Sequence, residues 1–150
     1  MATLTVLPLL QLLRDHADDA DLLELLDPDD HERSWSELLR TDDAQLWLIS
    51  WPPGARTGWH DHGTATGAFT VLRGRLVEHS WSDGGVVVRA QEAGDAHAFA
   101  GGHIHEVRNE DDRPALSLHA YSPRLATMTR YAVKGGQLEI AGVEQTGVDW

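Results

Sequence analysis

The chain has 150 residues, nine histidines, no cysteine and a formal charge of -12 at neutral pH. The cysteine count excludes disulfides, thiolate nucleophiles and cysteine-bound zinc together. The acidic surplus argues against a nucleic-acid partner, which would need clustered Lys and Arg to neutralise phosphates.

A chain of this length is expected to build one core, hence a single domain over 1–150. No window approaches the run of roughly 20 apolar residues that spans a bilayer. The start, "MATLTVLPLLQLLRDHADD", lacks the basic stretch and small-residue cleavage site of a signal peptide. A cytoplasmic protein without a membrane partner is the expectation.

From Leu4 to about Leu39 the apolar residues recur at three and four: Leu9, Leu10, Leu12 and Leu13, then Leu22, Leu23, Leu25 and Leu26, then Trp35, Leu38 and Leu39. This spacing predicts two or three short helices in segment 1–42, with Asp27-Pro28 breaking the run and Ser34 capping the turn that follows. Their leucines should pack on a sheet, while the acidic stretch "DHADDADLLELLDPDDHE" reads as a solvated helix face and loop.

After Asp43 the texture changes. The runs "AQLWLISW", "GAFTVLRG", "RLVEHSW", "VVVRAQEAG", "HAFAGG", "IHEVRN", "ALSLHAYSP" and "TRYAV" are separated by Gly, Pro and Asp, which predicts a mainly β fold. The fold class expected is a small antiparallel β-barrel or sandwich over 43–150 with short N-terminal helices.

In "LSLHAY", alternation puts Leu116, Leu118 and Ala120 on one face and Ser117, His119 and Tyr121 on the other. A solvent face would favour Lys, Glu or Thr. A Ser, His, Tyr face suits the inside of a small barrel, where inward groups fix a ligand.

The stretch "GARTGWHDHGTATG" brings His60 and His62 to one side of an extended chain, with Asp61 on the other. Two neutral imidazoles so placed can chelate one cation. Downstream, in "GDAHAFAGGHIHEVRN", His103 and His105 again share a face, and either could complete a three-histidine set.

Here the spacing resembles the two motifs of the cupin superfamily, with its jelly-roll-like barrel. Gly54, His60, His62 and Gly74 fall on the first motif, with Gly67 in the place of the usual glutamate ligand. Gly94, Gly102, His105 and Asn109 fall on the second, with Ala100 in the place of its proline. The match selects His105 over His103 as third ligand and leaves three histidines without a carboxylate.

Within the cupins the chain is similar to the cysteine dioxygenase family, through "HDHGTATGAFTVLRG", "HIHEVRN" and "LSLHAYSP", from Trp47 to Pro123. The resemblance implies a mononuclear non-haem Fe(II) held by His60, His62 and His105. It also implies an outer-sphere relay of Ser117, His119 and Tyr121, and addition of both atoms of O₂ to a small thiol, giving a sulfinic acid. L-cysteine is the expected substrate, small thiol and O₂ the partners, and a monomer or homodimer the assembly. The cysteine that cross-links to the tyrosine in some members corresponds to Gly67, so no cross-link can form.

The arginine that binds the substrate carboxylate in the family corresponds in "WSELL" to Glu37; Arg33, Arg40 and Arg56 are the nearby alternatives. His103 is expected beside the site, and His79 and His97 on exposed strands. His16 and His31 carry no signal. Trp47, Trp51, Trp59 and Trp81 should pack the barrel rather than bind substrate, lining of the mouth being an alternative for Trp59 because it adjoins His60. Other readings are a non-catalytic metal-binding cupin, a cupin enzyme of another reaction type, and a dioxygenase for 3-mercaptopropionate or another thiol.

Overall fold

The computed structural model describes residues 6–27 and 29–145. Leu4 and Pro28, used in the helical reading above, lie outside these residues. Helix α1 (Val6–Ala17) carries Leu9 and Leu13 one turn apart, and both are buried. A short 3-10 turn, Ala20–Leu25, follows; the Asp19 side chain caps it, accepting from the Asp21 amide at 3.0 Å.

The third expected helix is instead a strand, β1 (Ser34–Arg40), so only the first part of segment 1–42 is helical. Ser34 opens this strand rather than capping a helix. The reason lies in its register against β2 (Gln45–Trp51), which shifts between Glu37 and Leu39. That bulge lets Leu38 and Leu39, adjacent in sequence, both pack on the same apolar cluster. A helix produces the same spacing, and pairing with β2 decides between the two.

The remaining elements are β3 (Trp59–His60), β4 (Thr66–Arg73), β5 (Arg75–Ser82), β6 (Gly85–Glu92), β7 (Ala96–Phe99), β8 (His105–Arg108), β9 (Ala115–Ser122), β10 (Thr127–Lys134) and β11 (Gln137–Gln145). The eight runs read from sequence coincide with β2 and β4 to β10. They form a five-stranded sheet in the order β1-β2-β9-β4-β7 and a six-stranded sheet in the order β11-β10-β3-β8-β5-β6, with antiparallel neighbours throughout. The fold is thus mainly β, as expected, but its two sheets face each other without closing into a barrel.

Helix α1 lies on the outer face of the five-stranded sheet. There Leu9, Leu13 and Leu22 cover Leu46, Leu48, Leu116, Leu118 and Ala120. Between the sheets, Trp47, Phe69, Phe99 and Tyr121 meet Met128 in one cluster, and Ile49, Trp51 and Val71 meet Leu76 and Val107 in another. Strand β2 is buried at every position because it is covered on both faces, by helix outside and sheet inside. Among the described residues no helix is long and apolar enough to cross a membrane.

Candidate metal centre

The six-stranded sheet supplies the histidines. His60 on β3 lies directly opposite His105 on β8 and Arg130 on β10, so the three side chains share the inward face. His62 follows two residues after His60, where Asp61 ties the chain to β10. Its carboxylate accepts from the amides of Gly63 at 3.0 Å and Thr129 at 3.1 Å and from the Tyr131 hydroxyl at 2.7 Å. That anchoring holds the His-x-His segment in place after β3 has ended.

His60, His62 and His105 are all buried, and one ring nitrogen of each lies within 4.8 Å of the others. For His60 and His105, hydrogen bonds settle which nitrogen faces inward. His60 donates from Nδ1 to the Gly58 carbonyl at 2.8 Å, leaving the Nε2 lone pair unused. His105 donates from Nδ1 to Glu78 Oε2 at 2.6 Å, with the same result. His62 keeps a buried Nδ1 without a hydrogen-bond partner.

Burial lowers the basicity of all three imidazoles, and for His60 and His62 the proximity of the other rings lowers it further. Three neutral imidazoles with converging lone pairs, in a place where a buried nitrogen would otherwise stay unsatisfied, fit a divalent metal ion.

The five-stranded sheet supplies the opposing wall. Ser117, His119 and Tyr121 on β9 are buried and face the centre, while Leu116, Leu118 and Ala120 face α1, as alternation in the sequence requires. The Trp51 indole donates to Ser117 Oγ at 2.8 Å, and Ser117 Oγ lies 2.7 Å from His119 Nε2. His119 stacks on Phe69 with ring centroids 5.1 Å apart, and burial drops its pKa to about 3, so the ring is neutral. The Tyr121 hydroxyl lies 3.4 Å from His62 Nε2, and burial holds its pKa above the ordinary phenol value. The two walls therefore meet at Tyr121 and His62.

Gly67 on β4 sits opposite both Tyr121 and Phe99 in the ladder. A Cβ there would lie 2.3 Å from the Phe99 ring and 3.1 Å from Tyr121. The place of the usual glutamate ligand is filled by Phe99, which also stacks on His62 at 5.2 Å. The absent carboxylate is thus built into the packing.

Arg33, just before β1, lines the cavity beside His60, His105, His119, Tyr121 and Arg130. Its guanidinium lies over the Trp51 ring at 5.3 Å, and burial, then the nearby Arg130 charge, brings its pKa down to about 10. Arg130 bonds Glu144 at 2.8 Å from Nε. Glu37 points elsewhere, bonding Arg40 at 2.9 Å and Gln45 at 2.7 Å, and Arg56 is exposed. Of the arginines considered from sequence, Arg33 alone lines the cavity. Arg130 was not singled out; the strand pattern of "TRYAV" was visible, but its register against His60 was not.

His103 stacks on Phe99 at 4.7 Å beside the centre, with Nε2 3.3 Å from Glu78 Oε2. His97 differs from the exposed residue expected: its Nδ1 lies 2.5 Å from Glu78 Oε1, and its side chain is largely covered. His79 lies 3.8 Å from Glu110, away from the triad. Trp59 packs edge-on against Trp81 at 5.6 Å, in keeping with the packing role expected for it, and is not among the residues that line the cavity, so the alternative of a mouth position is not supported.

Two facing antiparallel sheets enclosing a buried three-histidine cluster define a cupin, a double-stranded β-helix protein. The chain matches the cysteine dioxygenase type I family over residues 5–134 and belongs to that family. Membership supports a metal-dependent, dioxygenase-like oxidoreductase function. Among solved structures, the fold is similar to a conserved double-stranded β-helix protein of Klebsiella pneumoniae, with 21% identity, 81% of this chain and 94% of that chain covered and a TM-score of 0.59. It is also similar to a Thermus thermophilus protein, with 25% identity, 69% and 95% coverage and a TM-score of 0.60. A cupin superfamily protein of Desulfitobacterium hafniense gives 15% identity, 66% and 84% coverage and a TM-score of 0.57.

Proposed function

We propose that the protein is an Fe(II)-dependent thiol dioxygenase that converts a small carboxylated thiol, L-cysteine foremost, and O₂ to the corresponding sulfinate. The observation that carries this reading is the pairing of a carboxylate-free histidine triad with the buried Ser117, His119 and Tyr121 face. His60, His62 and His105 would hold the iron. Bound there, Fe(II) supplies open coordination positions and the redox capacity to combine a thiolate with O₂.

The chain's own residues do the rest. Arg33 and Arg130 place two guanidiniums on one cavity with Glu144 bonded to Arg130, and a substrate carboxylate beside them would supply a second compensating charge. Tyr121 stays protonated and presents its hydroxyl hydrogen toward the reacting end of the substrate. Ser117, itself fixed by the Trp51 indole, orients the neutral ring of His119 behind it. Burial of Ser117, His119 and Tyr121 keeps bulk water from them, so their hydrogen bonds act at low dielectric, while Arg33 and Arg130 are half-buried.

The test is an oxygen-electrode screen of iron-reconstituted protein with L-cysteine, 3-mercaptopropionate and 2-aminoethanethiol, with sulfinate measured as product. Saturable O₂ uptake with the carboxylated thiols, and little with aminoethanethiol, is expected. No uptake with any of the three would overturn the assignment. Strong preference for aminoethanethiol would overturn the role given to Arg33 and Arg130.

A further inference from the structure

Glu78 is the most deeply buried carboxylate among the described residues, with no solvent exposure, on the inward face of β5 opposite Val107. Its ion-pair partners among those residues are all histidines: His105 Nδ1 at 2.6 Å, His97 Nδ1 at 2.5 Å and His103 Nε2 at 3.3 Å. Neither lysine nor arginine compensates it there. A buried carboxylate is costly unless it is hydrogen-bonded and its charge is balanced. The ring N–H groups of His105 and His103 meet the first requirement at Oε2, and His97 stands in ion-pair contact with Oε1. The second points through His105, whose other nitrogen faces the metal centre.

We infer that Glu78 is a positioning residue of the metal centre, holding His105 through Nδ1 and placing beside the neutral triad the negative charge that Gly67 leaves out of the ligand set. This rests on the metal reading above and deepens it. In many cupins a carboxylate binds the metal directly from the Gly67 position; here the Phe99 ring fills that space. Glu78 lies one imidazole further out, on a different strand. Its hydrogen bond fixes the His105 tautomer, leaves Nε2 as the ligand atom and makes that nitrogen a stronger donor. The coordination face itself stays clear for exogenous ligands.

A merely structural hub joining β5, β7 and β8 would give the same static contacts, so the test reads the metal. Full-length protein is stripped, then titrated with Co(II) against a competing chelator, and the Fe(III)/Fe(II) midpoint potential is measured on the iron-loaded form. Wild type is expected to bind one Co(II) per chain. Glu78→Gln should weaken binding about 10- to 100-fold and shift the midpoint potential upward, while Glu78→Asp, which keeps the charge, should restore part of both. If Glu78→Gln does not fold, Glu78→Ser, which also removes the carboxylate, carries the test, and an affinity and potential equal to wild type would overturn the inference. A folded Glu78→Gln with only a lowered melting temperature and unchanged metal properties would overturn it too. Two Co(II) per wild-type chain, one of them lost in Glu78→Gln, would overturn it in favour of a separate Glu78 and His103 site. Failure of wild type to bind Co(II) or Fe(II) at all would remove the metal reading itself, a result distinct from the others.

Discussion

The two faces of β9 are equally buried and chemically opposite. Leu116, Leu118 and Ala120 meet the leucines of α1, whereas Ser117, His119 and Tyr121 meet the histidine triad and the ring of Phe69. Burial therefore does not separate core from site in this fold. What separates them is how each side chain is satisfied: by dispersion and lost water on one face, by directed hydrogen bonds on the other.

This contrast can be broken from either side. The largest effect belongs to the triad: His105→Ala should abolish metal binding and turnover together, measured by metal content and O₂ uptake, while the protein remains folded by circular dichroism. Tyr121→Phe comes next, leaving metal content unchanged but slowing turnover by about 10²-fold or more, since a positioned proton donor is lost. On the other face, Leu118→Ala should cost about 2–5 kcal/mol in denaturant unfolding, the range for a buried leucine truncation. Metal content of the folded fraction should not change. If Leu118→Ala altered metal affinity as strongly as Tyr121→Phe altered rate, the two faces would not be separable.

Gly67→Ala probes the seam between the faces. The added methyl collides with Phe99, and overpacking of this kind costs about 1–3 kcal/mol. Combining it with Phe99→Leu should return part of that loss in thermal melts.

The smallest effect per unit change is in pH. His119 titrates near 6.5 when unfolded and at about 3 when folded, so between these values the unfolded chain binds the extra proton. Stability should therefore fall as pH drops through that window, by about 1.4 kcal/mol per unit for a single group. His60, His62 and His105 are shifted in the same direction, so metal-free protein should show a steeper slope than His119 alone gives. A flat melting temperature from pH 7 to pH 4.5 would contradict the buried, neutral state of these rings.

Local pattern was enough to place much of this. The alternation of "LSLHAY" assigned both faces of β9 correctly, because period-two burial needs no knowledge of partners. The His60 and His62 spacing and the motif position of His105 brought together the three histidines that the structure gathers from β3, the segment just after it and β8. β1 was misread because its bulge imitates helical spacing, and β3 is only two residues long. β11 escaped because Ile140 and Val143 point into solvent, so its apolar residues trace no buried face.

Arg130 and Glu78 were missed for a different reason. Each is one polar residue in an ordinary strand, and its meaning comes from long-range register: Arg130 opposite His60, and Glu78 beside His105. His97 was misjudged likewise, since its partner lies on the other sheet. Position within a strand is local information, whereas the identity of the neighbour across a ladder is not.

The ring of Phe99 has a consequence for how this chemistry could change. Restoring a carboxylate ligand at position 67 takes more than one substitution, because Gly67→Glu alone would drive its side chain into an aromatic ring already wedged against His62. A route from this centre to a four-ligand one passes through a chain that has first shrunk residue 99 and gained nothing for it. The ligand set is thereby guarded by a steric lock, and a neighbour that never touches the metal holds the key.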